Sequence, residues 1–570
     1  MASLQHRKRP ETMSMNNKIL PVFLITLFII LYLVPLAERP LIIPDETRYA
    51  EVPREMLATG DWVVPRINGW RYFEKPPMGY WLTALSLSFF GENNFAVRLP
   101  QALSTGLTAL LIFFLCSRLS KRRDSMLPFL ATLVYLSSLG VMGIGTFAVL
   151  DSQLSLFLAA TLSFFLLATE APPGSGRERT LLLLAGILAG CSFLTKGFLA
   201  FAIPVIVAGP YLMLQGRWRD TLRMLWLPIA GAFAVSLPWA MHIHLREPDF
   251  WHYFFWIEHV QRFLSDSAQH KEPFWLYLAA LPGMFLPWTL MLPAAAIGLW
   301  KKTWSKATEF RLLVFCLCWF IFPFVFFSIA KGKLITYILP CFPPLAIVFA
   351  MGVEYLHTNE KIKNYLQQSI AATGLLALLL LAALAGCYFF WPADQVRAFN
   401  RIQEWLLLGG GFATIFFGQV AAFRARKILH KIVLFAVSCT FFYIIAQFTL
   451  PALTLQRKDP GALLSRHAAG ITPQTYILSG EQAARAVCWY LKRQDIYMVA
   501  RAGELQYGLN FHDNPRKLLS PADAAALITN HPGQVVLIAD YQEYAQWQSI
   551  LPPPVSIDSN GSEGFLLLHY

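Results

Sequence analysis

Between Pro44 and Pro77 the chain sets six acids (Asp45, Glu46, Glu51, Glu55, Asp61, Glu74) among five bases (Arg48, Arg54, Arg66, Arg71, Lys75). Lysine and arginine hold phosphate oxygens through charge-assisted hydrogen bonds. A carboxylate beside them can serve as a general base or stabilise an oxocarbenium-like sugar cation. Further ionisable residues recur along the chain at Asp151, Lys196, His259, Arg262, Lys331 and Lys333. Such a set suits an enzyme that handles a lipid-borne phosphate. Plainer roles stay open: Asp45 and Asp151 could cap helices, Lys196 could snorkel from a helix end, and His259 could be a satisfied interfacial histidine.

The elements that must position these groups are membrane helices. Hydrophobic residues make up 56% of the 570 and charged residues only 14%, against about 25% charged in a soluble domain. Apolar runs long enough to cross a bilayer begin at Ile19–Leu36 and end at Ile432–Leu453, and spanning backbone must satisfy itself as helix. We expect about 13 spans, near 19–37, 96–118, 125–144, 152–169, 180–195, 198–215, 224–243, 275–299, 312–330, 334–356, 366–391, 404–422 and 432–453.

The net charge of +13 gathers in short clusters at alternate connections, such as Arg7–Arg9, Lys121–Arg123 and Arg424–Lys427. That is the positive-inside pattern rather than a nucleic-acid surface. It places the N-terminus in the cytoplasm and the C-terminus outside, with all the chemical candidates above on the outer side. Lys331 and Lys333 stand out, because the same rule depletes bases there. Charge at the membrane boundary is by default a functional signal. The first span reads as a retained anchor rather than a cleaved signal. The eight cysteines are scattered, with Cys488 alone in the tail, so they form no disulfide framework.

We expect two domains: a transmembrane catalytic domain over 1–453, with outer loops at 38–97 and 244–274, and an outer α/β domain over 454–570. The first loop has helical patterns over Glu46–Ala58 and Met78–Phe90. The second, REPDFWHYFFWIEHVQRF (246–263), has the composition of a helix lying at the membrane interface. In the tail, β-rich runs at 476–478, 496–499, 535–538 and 565–569 alternate with helical stretches at 481–492 and 521–529, the latter with Ser520 as N-cap and proline first. No Walker-type loop or dinucleotide fingerprint is present, so an activated donor at the outer face would have to arrive on a lipid.

Nine segments resemble the aminoarabinose lipid A transferases of bacterial inner membranes. They are PDETRYAEVPREMLATGDW (44–62), RYFEKPPMGYW (71–81), FGENNFAVR (90–98), GTFAVLD (145–151), LTKGFLA (194–200), REPDFWHYFFWIEHVQRF (246–263), AQHKEPFW (268–275), AKGKLITYILPCF (330–342) and GELQYGLNF (503–511). The resemblance implies a GT-C fold: a polytopic α-helical membrane protein carrying a soluble C-terminal periplasmic α/β domain. It implies inverting transfer of 4-amino-4-deoxy-L-arabinose from undecaprenyl phosphate to a lipid A phosphate, which protects cells from polymyxin and other cationic peptides. By matching motif, Asp45, Lys75 and Asp151 are the expected catalytic residues. Arg48, Tyr49, Tyr72, Lys196, Arg262, Lys331, Lys333 and Tyr337 are the expected substrate contacts. Glu74 with His259 is the candidate pair for a structural divalent metal, zinc by the chemistry of the donors, although two ligands do not make a site. No nucleic-acid partner is expected.

Two other readings stay open. One is a GT-C transferase of another lipid-linked sugar to protein or polysaccharide. The other is a phospholipid or polyprenyl-phosphate flippase, which calls for polar residues continuing to the inner face.

Overall fold

A computed structural model describes residues 19–120, 125–261, 271–302, 307–355, 360–392, 397–511 and 517–570, with the side chains of 259, 260, 307 and 360–362 outside the described set. Within it, 10 helices are long and apolar enough to span a bilayer, from Ile19–Leu36 to Ile428–Phe448. Two further apolar helix pairs are sharply bent, as in a broken span or a re-entrant loop: Leu127–Ser137 meets Leu139–Gly145 at 63°, and Leu276–Met284 meets Trp288–Lys301 at 95°. Adding the 16-residue helix Leu199–Leu214 gives every expected span a helical counterpart.

The two breaks lie side by side and satisfy each other. Leu139 N–H donates to the Leu286 carbonyl at 2.9 Å, Tyr443 Oη donates to the same carbonyl at 3.0 Å, and Trp288 Nε1 donates to Ser137 Oγ at 3.0 Å. Backbone freed from a helix at membrane depth is tolerated only where protein groups take it up.

The first loop builds three elements: a helix over Asp45–Thr59, a hairpin of β1 (Arg66–Ile67) and β2 (Trp70–Arg71), and a helix over Met78–Phe90. Gly60 ends the first helix at φ 69°, the left-handed conformation that glycine takes without a Cβ penalty. Asn68 and Gly69 turn the hairpin at φ 57° and 74°, as the Asn-Gly dipeptide prefers in a two-residue connection. Pro44 and Leu150, not Asp45 and Asp151, occupy the cap positions of their helices, and neither aspartate's chemistry is used up in capping.

The second loop is helical, but not as an ordinary α-helix. It winds as a wide π-helix over His252–Gln261. Phe255 and Trp256 are exposed, but Phe250 and Phe254 are fully buried. The reason is a shared aromatic cluster: Phe250 meets Phe73 of the first loop at 5.1 Å and Trp239 at 5.3 Å.

The C-terminal domain is a six-stranded sheet in the order β5-β4-β3-β6-β8-β7, where β3 is Tyr476–Ser479, β4 Tyr497–Val499, β5 Leu518–Leu519, β6 Val535–Asp540, β7 Ser556–Ser559 and β8 Phe565–His569. The first four strands in that order are parallel, and β8 and β7 run antiparallel. Ser520 caps the helix Pro521–Asn530 with a reciprocal bond to Asp523. The short strands β5 and β7 were not apparent in the sequence, since two-residue and exposed strands carry no alternation to read.

Candidate active site

Glu46 fixes the first-loop helix to the bundle. Its carboxylate takes Arg98 Nε and Nη2, each at 2.7 Å, and the N–H groups of Ile42 and Ala148, each at 3.0 Å. The remaining Arg98 donors go to the carbonyls of Leu36, Arg39 and Pro40 at 2.7–2.9 Å. Burial pushes the Glu46 carboxyl up, but Arg39 and Arg98 outweigh it and hold its pKa below the usual value. This pair is structural; it sets the angle at which the next residues are presented.

Two residues on, Arg48 is the hub of the candidate site. Its Nη2 lies 2.8 Å from Glu504 Oε2, and its Nη1 lies 3.6 Å from Asp45 Oδ1 and 3.8 Å from Glu74 Oε2. Glu504 comes from the C-terminal domain and also receives Arg485 Nη2 at 2.7 Å and the Tyr72 hydroxyl at 3.3 Å. Burial would lower the Arg48 pKa, but Tyr72, Glu504 and Glu74 together raise it, so the guanidinium is firmly charged. Burial, followed by the charge of Glu504, pushes the Glu74 carboxyl up against the pull of Arg48 and Lys75. Asp45, with 38% of its side chain exposed, is far more open than Glu74 at 6%. Lys75 donates to the Glu74 carbonyl at 2.8 Å and pairs with Glu258 of the second loop at 3.4 Å.

A second group sits at the ends of two packed spans. Lys196 closes the helix Gly176–Lys196, which stops at Gly197 with φ 82°. Its Nζ lies 2.6 Å from Asp151 Oδ1 and 4.2 Å from the centre of the Tyr337 ring. Tyr49 lies between the two groups: burial and then neighbouring Tyr80 push its phenol up, and Arg48, Asp45 and Asp151 also act on it. Its ring stacks on Tyr80 at 6.0 Å.

The structure thus brings together Asp45, Arg48, Tyr49, Tyr72, Glu74 and Lys75 in one group, and Asp151, Lys196 and Tyr337 in the adjoining one. Lys333 donates to the Glu272 carbonyl at 2.8 Å, and Gly332 bridges to Lys271, so the 331–333 segment is tied to the end of the second loop. Arg262 and the His259 side chain lie outside the described residues. Among the described residues no group of three or more His, Cys, Asp or Glu side chains is arranged to hold a metal. Glu504, Arg485 and Glu258 escaped the sequence reading as site residues. The segment GELQYGLNF, which carries Glu504, was the available signal; Arg485 sits in an ordinary helical stretch and had none.

Cations gathered with acids among them at the ends of membrane helices suit a glycosyl transfer that uses a lipid phosphate as leaving group. The comparisons agree. Residues 19–254 match the family profile described as dolichyl-phosphate-mannose-protein mannosyltransferase, and residues 455–568 match that of the arabinosyl transferase ArnT C-terminal domain. The fold is that of the GT-C membrane glycosyltransferases. ArnT from Cupriavidus metallidurans, solved bound to undecaprenyl phosphate, superposes with a TM-score of 0.80 at 23% identity, covering 97% of this chain and 98% of that one.

The undecaprenyl phosphate-alpha-4-amino-4-deoxy-L-arabinose arabinosyl transferase of Edwardsiella ictaluri is 40% identical over 96% of this chain and 98% of its own. That of Shewanella sediminis is 37% identical over 97% of each. The chain belongs to this arabinosyl transferase family.

Proposed function

We propose that the protein transfers 4-amino-4-deoxy-L-arabinose from undecaprenyl phosphate to a phosphate of lipid A, giving resistance to polymyxin and other cationic peptides. The observation that carries this reading is the gathering of Asp45, Arg48, Lys75, Asp151 and Lys196 from three distant stretches of chain. The names of the relatives support the donor. The reading places the protein in the bacterial inner membrane, N-terminus in the cytoplasm, with the site and the C-terminal domain on the periplasmic side; the basic clusters at the other connections support that orientation.

In this mechanism an acceptor phosphate oxygen forms the new bond to the anomeric carbon as the bond to the polyprenyl phosphate oxygen breaks. The acceptor is already ionised at neutral pH, so Asp45 orients the reactants or stabilises the sugar cation more than it removes a proton. Lys75, Arg48 and Lys196 stabilise the charge growing on the departing phosphate, the contribution that dominates catalysis of this kind. Tyr49, Tyr72, Tyr337, Arg262, Lys331 and Lys333 are the further substrate contacts in this proposal. Glu74 and His259 are two of the ligands in the proposed structural metal site, which metal analysis of the parent and of Glu74→Ala tests.

Purified protein in detergent, given aminoarabinosyl undecaprenyl phosphate and lipid A, should yield lipid A heavier by one amino sugar. A folded but inert protein would sink the proposal. Asp45→Asn and Lys75→Ala should each reduce turnover by roughly 10²-fold or more without loss of expression. The match to the mannosyltransferase profile favours, as a second reading, a protein acceptor, and mass spectrometry of the product separates the two.

A further inference from the structure

The three cations proposed to stabilise the departing phosphate are each matched by a carboxylate from another element. Arg48 has Glu504 of the C-terminal domain at 2.8 Å, and Lys196 has Asp151 of the neighbouring span at 2.6 Å. Lys75 has Glu258 of the second loop at 3.4 Å. An arriving phosphate must share or displace one of these partners. Glu504 is held by Arg48, Arg485 and the Tyr72 hydroxyl among others. The Asp151–Lys196 pair is short and joins two packed helices. The Lys75–Glu258 contact is the longest of the three, and Lys75 keeps a second bond, to the Glu74 carbonyl, that would hold its ammonium in place through an exchange.

We propose that Glu258 is a positioning residue whose carboxylate stands on Lys75 where the lipid phosphate will stand, and competes with it. The inference rests on the reading of Lys75 as a phosphate contact. A buried or half-buried ammonium left without a partner is costly, so the carboxylate keeps Lys75 charged and aimed while the site awaits its donor. The same competition acts after transfer. The donor phosphate is a diester with one charge; the departing polyprenyl phosphate is a monoester carrying between one and two at neutral pH. It would grip Lys75 more tightly than the donor did, and the return of Glu258 helps to free it. Glu258 thus gives up affinity for the anion in exchange for faster release.

The test titrates undecaprenyl phosphate into full-length protein in detergent micelles and measures turnover on the same samples. Neutralising the carboxylate in Glu258→Gln should tighten binding by roughly three- to ten-fold, the range of a partly exposed ion pair, and lower kcat while KM for the donor falls. Glu258→Asp, which keeps the charge, should stay near the parent in both. Glu258→Ala provides the same comparison should the glutamine variant not fold. Binding unchanged or weakened in the folded neutral variants overturns the inference. If Lys75→Met also leaves binding unchanged, the reading of Lys75 fails instead; if Lys75→Met weakens binding while Glu258→Gln does not tighten it, only the competition is refuted.

Discussion

Neighbouring acids in the first loop have opposite fates. Glu46 is wholly buried with every oxygen engaged, whereas Asp45, one residue earlier, keeps its carboxylate partly open beside Arg48. Glu46→Ala should therefore act on folding: it strands the buried Arg98 guanidinium and should cost about 3–5 kcal/mol, seen as loss of monodisperse protein in size-exclusion chromatography. Asp45→Asn should leave that elution unchanged while lowering turnover by roughly 10²-fold or more. A pH effect belongs to Glu543, which accepts the Glu481 N–H at 2.8 Å and is pushed up to about 7 by burial and then by the Asp540 charge. The unfolded chain loses that proton near pH 4.5. The native state therefore holds more protons between the two values, and stability must fall as pH rises from about 4.5 through about 7. Thermal unfolding from pH 5 to 8 should show that slope in the parent and lack it in Glu543→Gln, a difference of about 1–2 kcal/mol after allowance for partial exposure.

At the scale of elements, the hairpin β1–β2 turns a loop into a docking surface. Asn68 is fully buried; its Nδ2 donates to the Ile496 carbonyl at 2.9 Å and its Oδ1 accepts the Ile496 N–H at 3.1 Å. The side-chain amide thereby imitates a strand partner at the edge of the C-terminal domain. Glu55 anchors the same turn by accepting from the Asn68 and Gly69 N–H groups. Asn68→Ala leaves both Ile496 groups unpaired and places alanine at positive φ. It should cost about 2–4 kcal/mol and increase hydrogen exchange of the segment around Ile496. The Asn-Gly pair was there to be read as a hairpin, and the helices on either side of it were legible from their patterns. The side-by-side breaks at Ser138 and Phe285–Pro287 were not: hydropathy measures length and polarity, and a break changes neither.

Across the whole molecule, the C-terminal domain packs onto the candidate site rather than standing apart as an appendage. Glu504 and Arg485 complete the Arg48 group, and Tyr507 packs at a tilt against Tyr253 of the second loop with ring centres 4.0 Å apart, while Phe511 lies under Arg71 at 4.3 Å. Deleting residues 461–570 should abolish turnover even where the helical bundle still elutes as a folded species, and Glu504→Gln in the full chain should reduce it by roughly 10-fold or more. The sequence by itself determined the class, the spans and most of the chemical groups, because bilayer thickness and the cost of desolvated charge act on local composition. It marked Asp45, Arg48, Lys75, Asp151 and Lys196 by type and place. Only the tertiary structure decided their partners: that Lys196 meets Asp151, that Lys75 meets Glu258, and that Arg48 is completed by Glu504, 456 positions further along the chain. Ion pairs made across folded elements depend on which helix ends and loops meet in space, and no local pattern of residues records that.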